Sequence, residues 1–112
     1  PARVVGLGYS NGANILASVI FTHPNLFTDA VLMHPLIPWA PKAVDLRTRV
    51  LITAGENDPI CPPSMTRSLE SWFVCHATSV DVVWHAGGHE IAPAEIEGAA
   101  RFLGTPVLTR SE

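Results

Sequence analysis

The chain has 112 residues, 47% of them hydrophobic and only 15% charged, for a formal net charge of −3, which bounds it to one domain, residues 1–112, with a modest core. No basic patch points to nucleic acid, no apolar run approaches the ~20 residues of a membrane span, and the apolar N-terminus lacks the parts of a signal peptide. A cytoplasmic protein with no nucleic-acid or membrane partner is expected, and a start at Pro1, just ahead of an apolar strand, reads as a piece of something longer.

Val4, Val5 and Leu7 form a short β-branched and aliphatic run suited to a buried strand. The run passes into Gly6-Leu7-Gly8-Tyr9-Ser10-Asn11-Gly12-Ala13-Asn14, and beyond it Ile15, Leu16, Val19 and Ile20 recur at helical spacing. That spacing predicts a helix from about Asn11 to Thr22, ended by Pro24. A serine at so sharp a strand-to-helix turn needs small neighbours, because Cβ atoms at Gly8 and Gly12 would collide. The first helical N–H groups, Asn11's foremost, face whatever binds beside Ser10 and suit a developing oxyanion. Two other readings of the stretch stay open. Gly6-x-Gly8-x-x-x-Gly12 is a loosened dinucleotide fingerprint without the acidic residue it needs after the next strand, and a glycine-rich turn also carries ordinary serines.

Asp29 to His34 reads as a second strand, apolar on both faces as a parallel strand must be. Prolines at 35, 38 and 41 leave Pro35 to Thr48 as a constrained loop, in which Leu36, Ile37 and Trp39 either wall a pocket or cover the sheet. Arg49 to Ala54 is the third strand, closed by Gly55-Glu56-Asn57-Asp58-Pro59. Pro62-Pro63-Ser64 starts a helix that runs to about His76, with Met65, Leu69, Trp72 and Phe73 as its apolar face. Val80 to His85 is the fourth strand and Ala86-Gly87-Gly88-His89-Glu90 the loop beyond it. Pro93 to Leu103 makes the last helix, with Ile96, Ala99, Ala100 and Leu103 on one face, and the residues from Gly104 onward form a tail. Strands alternating with helices give an α/β fold of about four parallel strands with flanking helices.

Ser10, Asp58 and His89 follow the first, third and fourth strands, and in a parallel sheet those loops open on one edge. A serine hydroxyl needs a base within hydrogen-bond reach, histidine is suited to that task, and the imidazole needs a carboxylate to fix its tautomer. Gly87-Gly88 lets the histidine loop bend. Glu56, in the same loop as Asp58, is the alternative acid, while Glu90 reads as a solvated or helix-start charge. His85 and His89 share the four-residue spacing of helical zinc sites but run from a strand into a loop, so no metal is expected. His34 and His76 read as structural or surface residues, His23 as a helix-end residue, and Cys61 and Cys75 as free thiols.

Gly8-Tyr9-Ser10-Asn11-Gly12, Ala54-Gly55-Glu56-Asn57-Asp58-Pro59-Ile60-Cys61-Pro62 and Gly87-Gly88-His89-Glu90 together resemble the nucleophile elbow, acid loop and histidine loop of the phospholipase/carboxylesterase branch of the α/β-hydrolases, akin to dienelactone hydrolases. The resemblance runs from Arg3 to Leu103 and covers only the C-terminal half of that fold. It implies a serine esterase with Ser10 as nucleophile, His89 as general base and then acid, Asp58 as the orienting carboxylate and the Asn11 backbone as an oxyanion donor. Small-molecule esters, and no metal or organic cofactor, are implied with it, and the pocket would be shared by Leu36, Trp39, Ile60 and residues outside this sequence. The family's glycine-rich loop that donates the second oxyanion N–H lies in the half without a counterpart here. The strand at Arg3 to Leu7 is therefore expected at an open edge, available to an N-terminal half or to a second copy. A catalytically silent assembly module is the alternative function.

Overall fold

Four parallel strands lie side by side in sequence order in the computed structural model, which describes residues 3–24, 26–36, 46–77 and 79–104. They are β1 (Val5–Tyr9), β2 (Asp29–Met33), β3 (Arg49–Gly55) and β4 (Ser79–His85), joined through α1 (Asn11–Thr22) and α2 (Pro63–His76) and followed by α3 (Pro93–Gly104). Val5 stands opposite Asp29, Asp29 opposite Arg49 and Arg49 opposite Ser79, so the strands start level and the loops leaving their carboxyl ends share one rim. That alignment is what lets distant sequence segments meet.

Every residue of β2 is buried, because helices cover both faces of the sheet there. On one face, Ala13, Ala17 and Ile20 of α1 and Leu69 and Phe73 of α2 pack against Ala30, Leu32, Val50 and Ile52. Phe73, with no exposed surface, is worth about 1.5–3 kcal/mol of burial by itself. On the other face, Ala99 and Phe102 of α3 meet Val31, Met33 and Leu51. At the opposite end from the rim, the buried Asp29 carboxylate accepts from Arg3 Nε (2.7 Å) and Arg49 Nε (2.6 Å), a pairing that compensates its burial.

The observed helix faces differ from the periodicity reading in an informative way. In α1 the alanines at 13 and 17 approach the sheet with Ile20, while Ile15 is 62% exposed. In α2 Thr66 is buried with Leu69 and Phe73, and Met65 is only partly covered. In α3 the inward face is Glu95, Gly98, Ala99 and Phe102, whereas Ile96 and Ala100 point outward. The α3 helix is rotated because the Glu95 carboxylate is drawn inward by buried partners. Gly98 sits where a Cβ would lie 2.9 Å from Val83 Cγ2.

Two local corrections concern glycine and strand length. A Cβ on Gly8 would lie 2.6 Å from the Gly12 backbone, but a Cβ on Gly12 would meet nothing among the described residues, so the crowding is at Gly8 alone. The second strand ends at Met33 rather than His34, because His34 turns away with φ 53.

Among the described residues β1 is an edge strand with Val5 42% and Leu7 59% exposed. No helix among them is long and apolar enough to cross a membrane.

Candidate active site

Ser10 sits between β1 and α1 with φ 56 and ψ −116, a backbone conformation that costs a non-glycine residue roughly 1–3 kcal/mol. Its N–H donates to Met33 O (2.7 Å) and its carbonyl accepts from Asn14 N (3.1 Å), so sheet and helix both hold the strained turn. The N–H of Asn11 is the first of α1, one of the few that an α-helix leaves without an internal acceptor.

Two other loops complete the group. The acid loop after β3 and the histidine loop after β4 are laced together: Glu56 N donates to His85 O (2.8 Å), Asn57 N to Gly87 O (3.0 Å) and Asn57 Nδ2 to Ala86 O (2.6 Å). Gly55 makes this approach possible, since a Cβ there would fall 2.2 Å from Gly88 O. No glycine among the described residues has positive φ, so Gly87-Gly88 contributes room rather than a left-handed bend.

The side chains converge. Ser10 Oγ lies 2.8 Å from His89 Nε2, and His89 Nδ1 lies 2.7 Å from Asp58 Oδ2. An ionised Asp58 can only accept, so His89 carries its hydrogen on Nδ1 and presents the Nε2 lone pair to the serine hydroxyl. Tyr9 steadies the histidine loop by donating its hydroxyl to His89 O (2.7 Å). Burial, and then the Asp58 charge, raise the Tyr9 phenol above its ordinary value, which keeps it a donor.

Asp58 is almost fully buried, which by itself would raise its pKa. Hydrogen bonds to the Cys61 N–H, His34, His89 and the Ile60 N–H outweigh that cost and pull it from 3.8 down to about 2. A carboxyl whose pKa is lower when folded contributes stability that is present above pH 3.8 and lost as pH falls through 2. The contribution is on the order of 2 kcal/mol. Urea unfolding between pH 6 and pH 2 is therefore expected to show a steep loss below pH 4. The Asp58→Asn chain should lose less over that window, and equal slopes for the two would contradict this account.

The remaining sequence candidates are placed as follows. Glu56 is exposed and Glu90 accepts from Gly88 N, so neither holds the imidazole. Leu36 is half-buried, its N–H held by Asn14 Oδ1 (2.7 Å) one helical turn from Ser10, and Ile60 beside the acid loop is 56% exposed. Trp39 lies outside the described residues. Cys61 is buried with its thiol pushed up to about 11 by burial, and Cys75 is exposed; both are free. A pocket of about 260 Å³ lined by Arg49, Asp81, Arg101 and Phe102 lies on the α3 face and shares no residue with this group.

Sequence reasoning missed what lies beneath. His34, fully buried, places Nδ1 2.9 Å from Asp58 Oδ2 and Nε2 2.9 Å from Glu95 Oε1. Glu95, also fully buried, further accepts from Thr53 Oγ1 and from Ala92 N (2.8 Å), and lies 2.8 Å from His85 Nε2. The available signal was Glu95 at the third position after the Ala92-Pro93 helix start, the place from which a carboxylate reaches back to the helix entrance. Two groups, His34 with His85 and Glu95, and His34 with Asp58 and His89, bring potential metal ligands within 4.8 Å. Contacts of 2.8–2.9 Å within them are hydrogen-bond distances; donors around a tetrahedral zinc stand about 3.3 Å apart.

Known proteins share this arrangement of elements. No protein-family model matches the chain. It is 36% identical over 110 residues to MhqD of Bacillus subtilis, a protein provisionally named a hydrolase, covering 95% of this chain and 54% of that one. Among solved structures, a protein of unknown function from Agrobacterium tumefaciens, Atu2452, is 53% identical with a TM-score of 0.84, over 91% of this chain and 51% of its own. The carboxylesterase of Bacillus cereus is 38% identical with a TM-score of 0.80, over 88% of this chain and 47% of its own. The chain has the fold of the α/β-hydrolases. It spans about half the length of the α/β-hydrolase relatives it matches, in keeping with the C-terminal half of that fold.

Proposed function

We propose that these residues form the catalytic portion of a serine hydrolase acting on small-molecule carboxylic esters. The observation that carries this reading is the continuous run from Ser10 Oγ to His89 Nε2 (2.8 Å) and from His89 Nδ1 to Asp58 Oδ2 (2.7 Å). Ser10 Oγ attacks the ester carbonyl as its proton passes to His89 Nε2, and the C–O bond to the alcohol breaks as that proton is returned to the leaving oxygen. Water, deprotonated by the same nitrogen, then attacks the acyl-serine, and the C–Oγ bond breaks as that proton passes to Ser10 Oγ and the acid departs. Asn11 N–H stabilises the oxyanion in both steps, and Asp58 the imidazolium. The relatives named hydrolase and carboxylesterase support the esterase class.

A second reading, a silent module that works by pairing, draws on the exposed β1 edge, where Leu7 is 59% and Tyr9 38% exposed. An N-terminal half, or a second copy, would add a strand there and, in the first case, bring the second oxyanion donor. A fluorophosphonate probe separates the two readings. Stoichiometric labelling at Ser10, located by peptide mass spectrometry, is expected of the esterase, and no labelling above that of a surface serine is expected of the silent module.

A further inference from the structure

His34 turns out of β2 with φ 53, and its ring is enclosed between the acid loop and α3. Each of its nitrogens faces a carboxylate: Nδ1 lies 2.9 Å from Asp58 Oδ2, and Nε2 lies 2.9 Å from Glu95 Oε1 and 2.8 Å from Oε2. Glu95 is ringed by donors. It takes the Ala92 N–H and the Thr53 hydroxyl, and it faces His85 Nε2. His85 Nδ1 accepts the Gly87 N–H (2.9 Å), and its Nε2 lies 2.8 Å from Glu95 Oε1 without the angle of a hydrogen bond. With the Ala92 N–H and the Thr53 hydroxyl donating to it, the Glu95 carboxylate presents acceptor oxygens to His34 Nε2. Asp58 Oδ1 is occupied by the N–H groups of Ile60 (2.8 Å) and Cys61 (2.9 Å), which leaves Oδ2 to the two imidazoles. Each nitrogen of the His34 ring therefore meets a carboxylate oxygen.

We propose that His34 is a positioning residue for the triad acid, a doubly protonated imidazole clamped between Asp58 and Glu95 that holds Asp58 Oδ2 against His89. It rests on the triad reading above. The Ile60 and Cys61 N–H groups hold Asp58 Oδ1, but Glu56, Asn57, Pro59 and Ile60, which flank Asp58, are exposed, and His34 supplies the buried contact to Oδ2, the oxygen that faces His89. Through Glu95 and Thr53 the clamp reaches α3 and β3, the rigid elements below the rim. The cation also separates two buried carboxylates that would otherwise repel.

The test uses the whole chain with ¹⁵N-labelled histidine, so that ring hydrogens are read by NMR without reference to turnover. His34 is expected to show two ring N–H signals at neutral pH and His89 a downfield Nδ1–H. His34→Asn puts an amide nitrogen where Nδ1 stood and tolerates positive φ. It should keep the His89 signal and lose less than tenfold in kcat. His34→Ala should lose that signal and about 10²-fold in kcat, with KM within about threefold, as expected when a catalytic group drifts. A single ring hydrogen on His34, or a folded His34→Ala that keeps the His89 signal, overturns the proposal. Should His34→Ala fail to fold, His34→Gln, whose amide reaches Glu95 rather than Asp58, takes its place, and a His89 signal retained there overturns it equally. Intact signals in a chain without any esterase activity would sink the hydrolase reading and leave the clamp standing.

Discussion

Replacing Ser10 by alanine is expected to lower hydrolysis of a small activated ester by about 10⁴–10⁶-fold, or to the buffer rate where that is reached first. The expectation follows from how much of the structure is committed to one hydroxyl. Ser10 holds a strained backbone at φ 56, its N–H and carbonyl are both tied down, and its Oγ is within bonding range of a histidine from a loop 79 residues away. His89→Ala should fall by a similar factor, and the double variant should be little worse than either, because nucleophile and base act as one unit. With only one backbone oxyanion donor assigned in this chain, the parent rate is expected to start about 10²–10³-fold below that of an enzyme with both. A Ser10→Ala chain that retains a tenth of the parent turnover, measured against a buffer blank, would remove Ser10 from the mechanism.

Asp58→Asn should cost about 10⁴-fold in kcat while leaving the fold in place. An amide can turn its NH₂ toward His89 Nδ1, which drives the hydrogen to Nε2 and blocks acceptance of the serine proton. Its oxygen can still serve the Ile60 and Cys61 N–H groups, so the acid loop keeps its shape. Glu56→Gln, an equally small change two residues earlier on an exposed side chain, should stay within about threefold of the parent. Comparable losses from the two substitutions would mean that the acid had been misassigned.

The elements were legible in the sequence because each is local. The β-branched runs at Val50 to Thr53 and Val80 to Val83 and the prolines at 24 and 63 fixed strands, stops and starts to within a residue or two. The order of Ser10, Asp58 and His89 after three parallel strands fixed which loops would share a rim, and the rim is where the structure places them. Helix faces were less legible. Periodicity put Ile96 and Ala100 inward on α3, but hydropathy counts a glutamate as a surface residue, and it carries no record of the buried histidine that draws Glu95 inward.

What the residues determine alone, then, is a set of short-range preferences: parallel strands, their order, and a strained serine turn that only small neighbours such as Gly8 permit. The tertiary structure decided the rest. Whether Asp58 or Glu56 would face the imidazole, and that His34 would join Asp58 to Glu95 beneath it, depended on contacts between residues 24 to 61 positions apart. Such contacts form only when the sheet register brings their loops together, and burial then gives their hydrogen bonds a strength that no local pattern encodes.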